Sequence, residues 1–415
     1  MTASSVSTNR NARILTRGYN DAGHALFCRL LREHGNIALS PLSIGAAMTV
    51  AQAGARGETE REIARLFSLD LSASERELAY AALLGFISQY NTDPAAPEED
   101  APIVEVGDDY SASSIRVRRN VPPETKITVT NALATAQPGL VSGQYIATLA
   151  GSYGTELLEV ETADQINAWI CNHTNGLIKR IVERFEPETA AVIINALYFK
   201  ANWLLRFERD LSCDGDFQLA GGETVKTPMM NNPGIDLKSA TGEGYRAIRI
   251  PYIEWRLGLI VVVPDQGQDI VSVAEHLGAE ELARLTKDMA QSGSTYFNLT
   301  MPKFKARSGL SLGEHLKELG VQAAFDEQRA DFSGLAAEPD LPFWIGDVRH
   351  CAVVDVNEDG TEAAAGTMVM LAGAGYFERP EPEPFKVDRP FLFYITDEIT
   401  GIVLFQGKVV DPRLL

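Results

Sequence analysis

Ser311 lies in Gly309-Leu310-Ser311-Leu312-Gly313, a GxSxG pentapeptide of the kind that holds the nucleophile of an α/β-hydrolase on a sharp strand-to-helix turn. His350 follows downstream with aspartates between, so a Ser–Asp–His order can be drawn. The elements that would have to position such a triad do not read out of the chain. No HGGG-type segment supplies an oxyanion hole, and strands do not alternate with helices. Ser311 followed by Glu314 has a plainer reading, a capping box that starts a helix over 312–319.

Two further groupings could carry chemistry. Asp355-Val356-Asn357-Glu358-Asp359-Gly360 matches the first half of a calcium loop, but the position that needs a bidentate glutamate is Gly366. His350-Cys351 pairs a base with a thiol, yet neighbours in a strand face opposite sides and cannot meet. The four cysteines, Cys28, Cys171, Cys213 and Cys351, are widely spaced and form no CxxC pair. They predict reduced, buried thiols rather than metal ligands or a disulfide scaffold, and no metal is expected.

The stretch 355–371, DVNEDGTEAAAGTMVML, is the most informative in the chain. Read with period two, Thr361, Ala363, Ala365, Thr367, Val369 and Leu371 fall on one face, free of charge and growing from small to large. Glu362, Ala364, Gly366, Met368 and Met370 fall on the other. That pattern suits a strand buried inside a sheet, yet a Gly- and Pro-rich stretch, 372–384, follows and reads as an exposed loop. A segment able to live in both states is a conformational device.

The same residues carry a resemblance. Glu358-Asp359-Gly360-Thr361-Glu362-Ala363-Ala364-Ala365 resembles the hinge of an inhibitory serpin, prokaryotic members among them. The match continues through NIALSPLSIGAAMTVAQAGA (36–55) with Gly57-Glu58-Thr59, and through Asn167-Ala168-Trp169 with Thr174-Asn175-Gly176-Leu177-Ile178. Asn195-Ala196-Leu197-Tyr198-Phe199-Lys200-Ala201-Asn202-Trp203 is similar to the strand with the family's signature tryptophan. Met301-Pro302-Lys303-Phe304, Ala330-Asp331-Phe332-Ser333-Gly334 and Asp388-Arg389-Pro390-Phe391-Leu392-Phe393 complete the series in family order.

The resemblance implies an α+β serpin fold. It would be a single domain over 1–415 with three β-sheets, a helix-rich N-terminal part and an exposed reactive-centre loop. Residues 91–123 read as a surface insertion, and 358–387 as hinge and loop. The implied function is a suicide substrate. A serine protease attacks the loop and forms a covalent acyl-enzyme, and the cut loop enters the main sheet as a strand before hydrolysis finishes. Glu358, Gly360, Thr361, Glu362, Ala363, Ala364, Ala365 and Gly366 would form the hinge. Ser40, Ser43, Asn195, Trp203 and His350 would form a structural gate. Seventeen positions counted from Glu358 place the scissile bond between Ala374 and Gly375. A small residue there suits elastase-like or subtilisin-like enzymes, while Tyr376 and Phe377 keep a chymotrypsin-like target open and Pro380 blocks Arg379. The loop exceeds the family's usual length by about five residues, supplied by the stiff 380–384 segment. The implied protein is a monomer and an inhibitor rather than an enzyme. A non-inhibitory carrier or chaperone of the same fold is the alternative, and a hydrolase built on Ser311 the distant one.

Composition sets the frame. The length alone would suggest two or three domains, but no linker divides the chain. A net charge of −19 argues against nucleic acid and anionic membranes as partners, and no cofactor is expected. Residues 1–17 are polar without an apolar segment, which predicts a cytoplasmic protein unless a leader has been removed. Apolar spacing predicts helices over 20–34, 43–55, 59–66, 74–90 and 162–183, and strands over 190–199, 245–251, 257–263 and 297–304. Within the insertion, Arg116-Val117-Arg118-Arg119 forms a basic patch. A solvated loop is the plainer reading for it, and a polyanion site the sharper one.

Overall fold

The computed structural model describes residues 10–67, 70–91, 116–119, 124–185, 191–338, 342–361, 368–371 and 380–414; over 116–119 and 368–371 it describes the backbone. The helices are α1 (Arg10–Leu30), α2 (Pro41–Gly54), α3 (Gly57–Phe67), α4 (Ala73–Ile87), α5 (Gly143–Tyr153), α6 (Ala163–His173), α7 (Ile270–His276), α8 (Ala279–Gln291) and α9 (Gly313–Glu318). The strands up to the middle of the chain are β1 (Ile37–Leu39), β2 (Arg116–Arg119), β3 (Thr125–Thr135), β4 (Glu156–Glu159), β5 (Ala191–Asn202), β6 (Cys213–Gln218), β7 (Thr224–Gly242), β8 (Tyr245–Pro251) and β9 (Leu257–Pro264). After them come β10 (Thr295–Pro302), β11 (Phe304–Ser311), β12 (Ile345–Asn357), β13 (Gly360–Thr361), β14 (Met368–Leu371), β15 (Glu383–Lys386), β16 (Phe391–Asp397) and β17 (Val403–Val409).

The main sheet has the order β11-β12-β13-β5-β3-β4. A second path runs β1-β17-β16-β9-β8-β7-β10-β15, with β6 on β7. It comprises two ladders joined through the long β7, whose middle (229–237) pairs with β10 and whose last residues (238–242) pair with β8. A short ladder joins β14 to β2. The chain is therefore α+β, with the helix-rich N-terminal part that the sequence predicts.

α2 has apolar residues on every side and is buried almost throughout, as a helix without a polar face must be. It packs between β5 of the main sheet and β17 of the second. Gly45 allows α1 to approach, since a Cβ there would fall 2.2 Å from the Tyr19 ring. β5 is buried on both faces. Ile193, Leu197 and Phe199 point into the core with α2, and Val192, Ile194 and Ala196 point into a second cluster under α6 with Trp169 and Ile170.

Several elements differ from the sequence reading. The helix expected over 162–183 ends at His173, because Asn175 (φ 53°) and Gly176 (φ 80°) turn the chain left-handed. Ile178 and Val182 still pack into the cluster under α6, so their spacing of four mimics a longer helix. The capping box at Ser311 does not form. Ser311 ends β11 and bonds Asp347 at 2.7 Å, while the other Asp347 oxygen accepts from Gly313 N–H at the start of α9. The cysteines are free thiols, but Cys351 alone is buried; Cys28 and Cys171 are half-buried and Cys213 is exposed.

Candidate functional site

The upper end of the main sheet contains a two-residue strand. β13 pairs antiparallel on one side with β12 (Val356↔Thr361, Asn357↔Gly360) and on the other with β5 (Gly360↔Asn202, Thr361↔Ala201). Below it β5 and β12 pair directly with each other and parallel, from Ile345↔Ala191 to Ala352↔Leu197. The sheet is thus open at one end, with the first hinge residues seated in the opening, and zipped along the rest.

Gly360 is required by close approach. A Cβ there would lie 2.1 Å from the Ala201 carbonyl oxygen, on a backbone with φ 152°. Thr361 is fully buried, and its hydroxyl meets that of Tyr252 at 2.6 Å. A hydroxyl can be buried there because it is bonded; a charge could not. Tyr252 stacks on Trp203 with ring centroids 4.5 Å apart, and Trp203 Nε1 donates to the Asn357 carbonyl.

The turn that feeds β13 is held by charge. Glu358 receives Lys303 Nζ at 2.5 Å and the Ser212 hydroxyl at 2.8 Å. Burial would push its carboxyl up, but the hydrogen bonds from Lys303 and Ser212, a backbone hydrogen bond and the Lys303 charge hold the group below the usual carboxylate range. Asp359 pairs with Arg206 at 3.2 Å and with Arg209. Backbone bonds from Trp203 N–H to Asp359 and from Phe207 N–H to Glu358 complete the clasp. With Asp355 paired to Lys305, all three carboxylates of the calcium-loop match face cations. That is no calcium shell.

Under the zipped part lies a polar network in an otherwise apolar core. Asn195 Oδ1 accepts from the Ser43 hydroxyl (2.6 Å) and from His350 Nδ1 (2.8 Å). Asn195 Nδ2 donates to the Ser43 carbonyl and to Asn131 Oδ1. His350 Nε2 accepts from Ser40 N–H at 3.1 Å, which fixes the neutral tautomer with its proton on Nδ1. Burial lowers the imidazole pKa to about 3, so the ring stays neutral. His350 and Asn195 are opposite one another across the β12–β5 seam. The network ties that seam to α2 at the place where the two strands would have to part.

The geometry removes the nucleophile readings. Both His350 nitrogens are used by Ser40 and Asn195, and Ser311 is opposite Arg349 and bonded to Asp347. Burial pushes the Cys351 thiol up to about 12, which leaves no thiolate near neutral pH.

Glu358, Gly360 and Thr361 are thus brought together at the sheet opening, with Trp203 beside them, and Ser40, Ser43, Asn195 and His350 form one network. Glu362, Ala363, Ala364, Ala365, Gly366, Ala374 and Gly375 lie outside the described residues. Sequence reasoning missed Tyr252, Ser212, Arg206, Arg209 and Asn131. Lys303 was in view only as part of a motif.

Comparison with known proteins places these elements among relatives. The family model described as Serpin (serine protease inhibitor) matches residues 17–412. A serpin-like protein of Thermococcus kodakarensis is 31% identical over 395 residues, 94% of this chain and 83% of that protein. A protein of Cyanea capillata named serine protease inhibitor is 28% identical, over 91% of this chain and 92% of its own. Among solved structures, human thyroxine-binding globulin complexed with thyroxine superposes with a TM-score of 0.78 at 23% identity, covering 97% of this chain and 99% of that one.

Proposed function

This chain belongs to the serpin family, and from that premise we propose that it inhibits serine proteases as a suicide substrate. The observation that carries the reading is β13. The hinge is already an antiparallel strand between two parallel strands, so every following loop residue has a continuation of the same slot to enter. The protease serine attacks the Ala374 carbonyl and the Gly375 amine leaves with a proton, which frees the loop's new C-terminus as an acyl-enzyme. Further insertion opens the β5–β12 pairing and replaces one ladder with two, so a net ladder of backbone hydrogen bonds is gained. Residues 361–371 would span about 36 Å as a strand, a length that matches flanking strands of 12 and 13 residues. The uncut state therefore stores stability that cleavage releases.

The small, uncharged residues at Ala363, Ala364, Ala365 and Gly366 support inhibition over a carrier role, because a slot between strands admits them without clash. Incubation with an elastase-like or subtilisin-like protease tests the reading. A detergent-stable complex on a denaturing gel is expected, and mass spectrometry of the released peptide should begin at Gly375. Cleavage without a covalent complex by any of these proteases would favour the carrier reading. The fold alone is compatible with that reading, as thyroxine-binding globulin illustrates by its name.

A further inference from the structure

We propose that β2 is a strap on the reactive loop, an internal strand that holds β14 outside the main sheet and must release it before the loop can enter. The inference rests on the insertion mechanism above and concerns the segment that the family pattern leaves unexplained.

The backbone register is Met368↔Arg119, Val369↔Arg118, Met370↔Val117 and Leu371↔Arg116, antiparallel. Those loop residues are the last four of the 361–371 stretch that would line the slot. A strand has two pairing edges, and an inner strand uses both. Once Met368–Leu371 lies between β5 and β12, no edge is left for β2. The strapped state and the inserted state exclude each other.

The strap is also built to let go. Among the described residues the β14–β2 ladder joins neither larger sheet, and two strands alone are marginally stable in water. Its root is fixed beside the slot. Glu124 N–H donates to Asn202 Oδ1, and Thr125 is paired with Ala201, which is itself paired with Thr361. The hinge at β13 and the strap at β14 thus hold the loop at two points with six residues between them, and both anchors are set on β5 and its neighbours. Met368–Leu371 also precedes Ala374 by three residues, so β2 covers one edge of the backbone that a protease must bind as an extended strand.

The ends of the segment meet. Asn91 bonds both the N–H and the carbonyl of Ile127, so residues 92–122 can be replaced by a short Gly-Ser link without stretching the chain. Val117→Pro puts a residue with no N–H and a fixed φ in the middle of the ladder while leaving the segment in place, and Val117→Thr keeps a strand former at the same position. Two rates are read in full-length protein: loop cleavage by trace papain, and loss of papain sensitivity during incubation of uncut protein at raised temperature. Both should rise about tenfold in the shortened chain and in Val117→Pro, the scale of one or two net backbone hydrogen bonds, and stay at the parent value in Val117→Thr. Rates within twofold of the parent in both disrupted forms would overturn the strap. Neither readout needs trapping: accelerated rates in a protein that forms no covalent complex would keep the strap and remove the inhibitor reading. A covalent complex with unchanged rates would do the reverse.

Discussion

The hydroxyl of Thr361 lies 2.6 Å from that of Tyr252, both buried, where the loop enters the main sheet. Each is the other's partner in a setting that excludes water. Thr361→Val should therefore strand the tyrosine hydroxyl and destabilise the protein by about 1–3 kcal/mol. Adding Tyr252→Phe should recover most of that loss, because removing both polar partners is nearly neutral. Thermal unfolding of the two single variants and the double variant checks the cycle.

Thr361→Arg puts a charge where only a bonded hydroxyl is tolerated. The hinge should leave the opening between β5 and β12 and the residues behind it should not enter, while the loop stays cleavable, so a target protease would cut the variant and leave intact. The measurement is the ratio of covalent complex to cleaved protein on a denaturing gel. Complex yield equal to the parent's would show that Thr361 does not lead insertion.

Gly360→Ala acts on the backbone rather than on chemistry. Its Cβ would collide with the Ala201 carbonyl, so β13 should lose its pairing with β5 and the hinge should leave the sheet. Hydrogen exchange of the Thr361 amide should accelerate, and the fraction of protease trapped should fall. Unchanged exchange would mean that β5 moves aside without cost.

Acid should loosen the molecule in two steps. The folded pKa of His350, about 3, lies below the value near 6.5 of an unfolded histidine, so the unfolded chain binds the extra proton between them. Its contribution is complete above about pH 6.5 and declines as the pH falls toward 3, by at most about 1.4 kcal/mol per unit. The Glu358 carboxyl is also held low. Its contribution is present above the unfolded carboxylate value and is lost as the pH falls through the folded one. Denaturant midpoints between pH 7 and 5 should fall in the parent and flatten in His350→Gln, with the drop at lower pH common to both.

Part of the site was legible in local pattern. Gly360 and Thr361, picked out by the hinge resemblance, sit at the sheet opening, while the alternation expected beyond Thr361 runs through 362–367, outside the described residues. The clasp was not legible, because its members are brought together only by the fold. Lys303, Ser212, Arg206 and Arg209 stand far from Glu358 and Asp359 along the chain, and nothing local to any of them signals a partner. Local patterns also misled where a distant residue outcompeted them. Asp347, from a neighbouring strand, takes both Ser311 and the start of α9. Arg116–Arg119 reads as a solvated patch until its backbone is seen paired with a strand near the other end of the chain.

The central claim is that the cut loop becomes a strand between β5 and β12, and hydrogen exchange across that seam measures it most directly. Uncut protein and protein cut in the loop by catalytic papain would be compared at the amides of 191–197 and 345–352, alongside their melting temperatures. Insertion predicts stronger protection along both strands and a cut form that melts well above the uncut one. A cut form with unchanged seam protection and an equal or lower melting temperature would contradict it.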